Sequence, residues 1–191
     1  MKSILTLIFL FTLINVGYTQ QESEEYLNLK NKYYYREGYI VDNDSVKIKG
    51  LIKIKHEYKL SEIVLFVSLD GEVIKYRPDD IKGFSYSIYK FFSDGTNFYH
   101  CQYTGRKMSL YSLTKREYSQ VGNTGMYASS IESFYVKRSG DSEYTLVKKG
   151  RFKRDFSAYL SDCDKVAQKI LNKEYKYKDI KRIVREYNFC E

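Results

Sequence analysis

The sequence predicts an α+β fold: a mainly antiparallel β-sheet, built as a roll or open barrel, followed by a C-terminal two-helix hairpin. Three observations carry this. From Tyr33 to Lys149, short runs rich in β-branched and aromatic residues recur between clusters of turn-forming residues. Asp70-Gly71 stands between two such runs, EIVLFVSL and EVIKY, and Asp-Gly favours the tight turn that joins two antiparallel strands. Beyond residue 155 the apolar spacing switches from two to three and four, the period of a helix.

Taken in order, residues 33–41, YYYREGYIV, and 46–55, VKIKGLIKIK, alternate apolar with polar as half-buried strands do. Asp42-Asn43-Asp44-Ser45 between them supplies turn chemistry, giving a first hairpin. The second hairpin turns at Asp70-Gly71. Arg77-Pro78-Asp79-Asp80 follows, and Pro78, the only proline, fixes φ where a turn begins. Further strands are expected at Lys82–Tyr89, Asn97–Tyr103, Met108–Leu113, Ser130–Arg138 and Glu143–Lys149, with Asp94-Gly95, Gly105 and Gly140-Asp141 as punctuation. Residues 115–128, KREYSQVGNTGMYA, hold two glycines and no period, so they read as a long loop. In the tail, Phe156, Leu160, Cys163, Val166, Ala167, Ile170 and Leu171 form one stripe, and Ile180, Ile183, Val184 and Tyr187 a second. Asn172 ends the first helix and Asp179 starts the second, where its charge suits the helix dipole.

The N-terminus has the layout of a secretory signal peptide over residues 1–19: Lys2, an apolar run from Ile4 to Leu13, then the small residues Gly17 and Thr19. No cysteine lies near that junction to take a lipid, so the expectation is an exported protein, periplasmic or extracellular, that is not a lipoprotein. Residues 20–32 are polar and acidic and read as a flexible leader. Residues 33–191 form a single domain, with strands over 33–150 and the helical pair over 155–188.

The chain carries 32 Lys and Arg against 24 Asp and Glu, and the excess is concentrated at one end. From Lys148 to Glu191 there are 13 basic residues against 7 acidic ones. A basic end attracts nucleic acid, anionic lipid or acidic polysaccharide. An exported protein rarely meets nucleic acid, so an acidic glycan or a membrane surface is the expected partner of the basic C-terminal helices, with another envelope protein as a further candidate. The plainer use of those charges is to keep the helix faces wet.

Cys163 lies near the start of the first helix and Cys190 just past the end of the second, so antiparallel packing brings them to the same end. In an oxidising compartment the expected product is a Cys163–Cys190 disulfide. A zinc site needs four ligands, and the chain offers only Cys101, Cys163, Cys190, His56 and His100, with no C-x-x-C or H-x-x-x-H spacing. No metal and no cofactor is therefore expected, and Cys101 is left as a small buried strand residue.

No catalytic residue is assigned. His100 and Cys101 are neighbours in a strand and point to opposite faces, so they make no dyad. Asp79 and Asp80 follow a proline and read as turn-capping groups. Neither a Gly-rich phosphate loop nor a G-x-S-x-G elbow is present. The 21 Tyr and 11 Phe, with no Trp, include Tyr33, Tyr34, Tyr35, Tyr86, Tyr89, Phe91 and Phe92 as a candidate ring platform, although Tyr also suits any half-buried strand position. The expectation is a non-enzymatic binding or interaction module. The alternatives are a small hydrolase using a carboxylate such as Asp80 or the Cys101 thiol, and a structural subunit of an envelope assembly.

In the opening hairpin Gly38 to Ile52, the turn Tyr76 to Phe84 and the ending Asp162 to Asn188, which closes on IVREYN, the chain resembles short exported proteins of Bacteroidota. The resemblance implies export and an envelope setting. It assigns no catalytic residues.

Overall fold

The computed structural model describes residues 22–121 and 125–190. The signal-peptide reading of residues 1–19 lies outside them. The strands are β1 (Tyr35–Val41), β2 (Lys47–Lys53), β3 (Val64–Val67), β4 (Val73–Tyr76), β5 (Gly83–Tyr86), β6 (Tyr89–Ser93), β7 (Phe98–Tyr103), β8 (Met108–Val121), β9 (Gly125–Arg138) and β10 (Thr145–Leu146). They form one open sheet in the order β10-β9-β8-β7-β6-β5-β1-β2-β3-β4, antiparallel at every junction. The predicted α+β class, a mainly antiparallel sheet with helices gathered at the C-terminus, is what the chain adopts.

Register divides the sheet into two faces, because directly opposed residues in an antiparallel pair share a side. The inner face carries the row Ile40, Phe84, Phe91, His100, Ser112 and Phe134. Around β1, β2, β3, β5, β6 and β7 this face closes over a core of Ile40, Ile52, Phe66, Phe84, Phe91 and Phe98. A short helix, α2 (Glu57–Leu60), plugs this core with Leu60. It also ties the strands together, since Phe98 N donates to Ser61 O at 2.8 Å and Ser61 Oγ donates to Thr114 O at 2.9 Å. On the β8–β9 side the inner face is covered by the C-terminal helices α3 (Ser157–Tyr159), α4 (Asp164–Leu171) and α5 (Ile180–Tyr187). Their stripes bury Val166, Ile170, Ile180, Ile183 and Val184 against Met108, Leu110 and Val136.

Four local expectations are corrected. The leader is not loose: residues 24–30 form α1 (Glu24–Lys30), capped by Ser23 Oγ accepting from Tyr26 N at 3.1 Å, with Glu24 and Glu25 in its first turn. One buried ring, Tyr26, with Leu29 beside it, seats the helix on the outer sheet face against Tyr35, Leu51 and Val67, so no longer apolar stripe was needed. Residues 115–128 are mostly strand rather than loop, because β8 and β9 pair continuously from Met108↔Arg138 to Val121↔Gly125. This arm runs past its neighbours and is exposed on both faces at Glu117, Tyr118, Tyr127 and Met126, which removes the alternation that marks a half-buried strand.

The predicted strand Lys82–Tyr89 is instead the hairpin β5–β6, turning at Ser87, whose φ is +49°. A serine there carries no Gly or Asn signal. Finally, the first tail helix is interrupted at residues 160–163, after one wide turn over Phe152–Phe156 and the short α3.

Among the described residues no helix is long and apolar enough to cross a membrane.

Candidate functional site

The outer face across β1, β5 and β6 holds a trough, and the sequence explains its shape. Gly83 and Ser85 are the residues that β5 points outward, opposite Val41 and Tyr39 of β1 and Phe92 and Lys90 of β6. Small floor residues between larger ones leave a channel about 10 Å across, two strand spacings. A cavity of about 240 Å³ is lined there by Tyr39, Val41, Lys82, Gly83, Lys90 and Phe92 among others. Gly83 is required, because a Cβ at that position would strike the Phe91 carbonyl oxygen. Tyr39 and Phe92 supply the walls, and Phe92 is exposed. Three ammonium groups surround the rings: Lys47 lies over Tyr39 at 4.9 Å, Lys82 donates to Ser45 Oγ at 2.7 Å, and Lys90 is exposed. A second, larger cavity reached past Tyr39 and Ser85 carries Glu22, Glu37 and Lys49 toward α1.

Beside the trough, the outer face is closed by a tyrosine cluster. Tyr144 stacks on Tyr99 with centroids 4.1 Å apart, and Tyr111 and Tyr135 meet this pair edge-on. Burial pushes the phenols of Tyr99 and Tyr144 well up, with Asp94, which accepts from Tyr99 Oη at 2.9 Å, adding to the rise at Tyr99. Both phenols stay protonated at physiological pH. Phe92 touches its edge through Tyr111 at 6.0 Å. Of the seven rings in the sequence-derived platform, Tyr35, Tyr86 and Phe91 are buried, whereas Tyr33, Tyr89 and Phe92 are exposed. Tyr39, which forms the opposite wall, was not among them, since only the folded sheet brings it into register with Ser85.

No family model, curated protein or solved structure matches this chain.

The remaining candidate residues fall in separate places. Cys163, the residue before α4, and Cys190, beyond the end of α5, sit at disulfide distance, with Cα atoms 5.9 Å apart across 27 residues. Cys101 is a free, half-buried thiol on β7, 3.3 Å from Thr104 Oγ1. His100 points to the other face, as expected, and stacks on Phe91 at 4.9 Å. His56 stacks on Tyr58 at 5.9 Å. Asp80 accepts from Arg77 N at 2.7 Å, closing the proline turn, and the Asp79 and Asp80 carbonyls accept from Asn43. Among the described residues, no three His, Cys, Asp or Glu gather to hold a metal ion.

The fold also makes a pairing that the sequence did not announce. Glu57 Oε1 lies 3.2 Å from His100 Nδ1, and Glu57 Oε2 accepts from Thr114 Oγ1 at 3.1 Å. The His100 contact is the main cause that holds the Glu57 carboxyl below its usual value, against the opposing effect of burial. The Gln102 amide lies 2.9 Å from both His100 Nδ1 and Ser112 Oγ, so a Gln separates the histidine from the hydroxyl. This network fastens α2 to β7 and β8.

On the helical side, Asp162 accepts from Arg138 at 2.9 Å and from the Tyr187 hydroxyl at 2.5 Å. Burial raises its carboxyl, but these two hydrogen bonds outweigh that and leave it depressed. Lys169 and Tyr175 likewise hold Glu186 low. A depressed carboxyl adds stability above its unfolded value, and that stability fades as pH falls through the folded one. Urea midpoints should therefore fall as pH drops below about 4, and Asp162→Asn should flatten the slope. An unchanged slope in that variant would remove Asp162 from the account.

Proposed function

We propose that the protein is an exported, non-enzymatic binding module of the cell envelope, periplasmic or extracellular, whose outer-face trough takes a sugar ring of an acidic glycan. The observation that carries the reading is the trough itself: a ring-walled channel with a Gly83 and Ser85 floor and lysines around it. A pyranose has apolar faces that pack on Tyr39 and Phe92, and a uronate carboxylate would meet Lys47, Lys82 or Lys90. The described lining of the trough carries no carboxylate or histidine, whereas sugar hydrolysis uses two carboxylates across the scissile bond. Binding therefore fits the lining better than turnover does. The disulfide-distance pair in the tail agrees with an oxidising compartment.

The basic helices add a weaker contribution. Lys165, Lys173, Lys176, Lys178 and Lys181 are exposed and give a diffuse attraction to the same polyanion or to anionic headgroups. Calorimetric titration with oligogalacturonate should show saturable binding that Phe92→Ala weakens about tenfold, while a neutral oligosaccharide of equal length binds far less. Affinity should also drop between low and moderate salt, as exposed charges are screened within about 10 Å at 0.1 M. Equal affinity for the neutral sugar, or no effect of Phe92→Ala, would remove this reading.

A further inference from the structure

A further cleft shares none of the trough's residues. It lies between α2, the β3–β4 edge and the base of the β8–β9 arm. It encloses about 560 Å³ and is lined by Lys55, Tyr58, Lys59, Glu62, Lys75 and Arg116, with Tyr118 beside them. Four cations thus face one carboxylate, and no described ion pair involves any of the four.

Arg116 is held in place. Its guanidinium sits 5.2 Å from the Tyr58 ring centre and 5.3 Å from that of Tyr118, and Nη1 donates to Tyr58 Oη at 3.1 Å. Two ring contacts and one hydrogen bond orient the fork while leaving its other N–H groups for a ligand. Lys59 leans on the same Tyr58 ring at 5.9 Å. Burial, and then the charges of Lys53, Lys59 and Lys75, push the Lys55 ammonium below its usual value. Four cations facing the single carboxylate of Glu62 repel one another, and a bound anion relieves that repulsion.

We propose that this cleft binds a phosphate group, as a phosphomonoester or diphosphate, with Arg116 as the bidentate fork and Lys55, Lys59 and Lys75 as the surrounding charges. Charge matching selects this class. A phosphomonoester carries about −1.5 to −2 at neutral pH and has three acceptor oxygens, whereas a carboxylate brings one charge and leaves most of the repulsion in place. An oriented guanidinium beside several ammonium groups is also the usual way to bind phosphate through side chains.

Calorimetry of the purified chain with inorganic pyrophosphate, at low ionic strength, tests the proposal. Saturable binding is expected, weakened about tenfold by Arg116→Lys, which keeps the charge but loses the fork, and severalfold by Lys75→Gln. Both positions are solvent-facing, and an unchanged circular dichroism spectrum would show that the fold is kept. Glycerol 3-phosphate and vesicles containing phosphatidic acid separate the two sources of the group: binding to the soluble ester assigns a free phosphate ligand, and binding to vesicles alone assigns a lipid-borne one. Absence of binding to all three probes, equal binding by the Arg116→Lys and Lys75→Gln variants, or acetate binding as tightly as pyrophosphate would overturn it.

Discussion

Replacing Cys163 and Cys190 together with alanine will lower the thermal unfolding midpoint by about 10 °C. The bond joins the residue before α4 to the third residue past α5, closing a 27-residue separation. A loop of that size removes roughly 3.5 kcal/mol of chain entropy from the unfolded state, and for a chain of this length each kcal/mol moves the midpoint by about 2–4 °C. The two helices need the help. Each is 8 residues long, below the length at which a helix persists by itself, and their stability comes from one apolar face packed on β8 and β9. Cys163 is also buried in that cluster, so alanine adds a small void to the lost crosslink. Reducing the unsubstituted protein separates the two effects, because it opens the bond and leaves the volume unchanged. Amide exchange should quicken in α4 and α5 and stay slow in β1, β2 and β5. A midpoint shift below about 2 °C in both experiments would mean that the helical pair is held by packing alone.

What the sequence made legible follows from where burial is one-sided. The β1–β2 hairpin, the turn at Asp70-Gly71 and the stripes of α4 and α5 each place apolar residues on one face, so the period survives in the residue string. The β8–β9 arm extends into solvent on both faces and α1 rests on a single ring, so neither leaves a period to detect. The disulfide was readable because two helical stripes of similar length fix which ends meet. The trough was not, since it depends on lateral register: Gly83 and Ser85 become a floor only once β1 and β6 flank β5, and the turn at Ser87 that creates β6 has no strong sequence signature. The phosphate cleft is harder still to read. It joins Lys55 and Lys59 near α2, Lys75 on β4 and Arg116 on β8, residues that only the curl of the sheet around α2 brings together.

Asn188→Ala will destabilise the protein by about 3 kcal/mol, although position 188 lies outside every helix and strand. The side chain is buried and makes four hydrogen bonds. Its Nδ2 donates to Val184 O at 2.7 Å and to Met108 O at 2.8 Å, and its Oδ1 accepts from Lys107 N at 2.8 Å and from Met108 N at 3.1 Å. The amide thereby satisfies both polar groups of Met108 at the start of β8 and adds a second donor to the Val184 carbonyl in the last turn of α5, which also accepts from the Asn188 backbone N–H. Gly105 makes the space, since a Cβ there would collide with the Asn188 carboxamide. Alanine leaves two backbone N–H groups and the Met108 carbonyl unmet, at about 1 kcal/mol each, while Val184 O keeps its backbone partner. Asn188→Asp is the sharper probe, being the same shape. It keeps an acceptor for the two N–H groups but turns a carboxylate oxygen toward the Met108 and Val184 carbonyls, which favours the protonated acid. A carboxyl whose folded pKa is raised costs stability above that value and recovers as pH falls through it. The deficit of Asn188→Asp against the unsubstituted protein, read from urea denaturation, should therefore shrink between pH 7 and pH 5, while that of Asn188→Ala stays constant. A cost below about 1 kcal/mol for Asn188→Ala, or parallel pH profiles for the two variants, would show that water replaces the amide and that α5 is fastened to β8 by its apolar face alone.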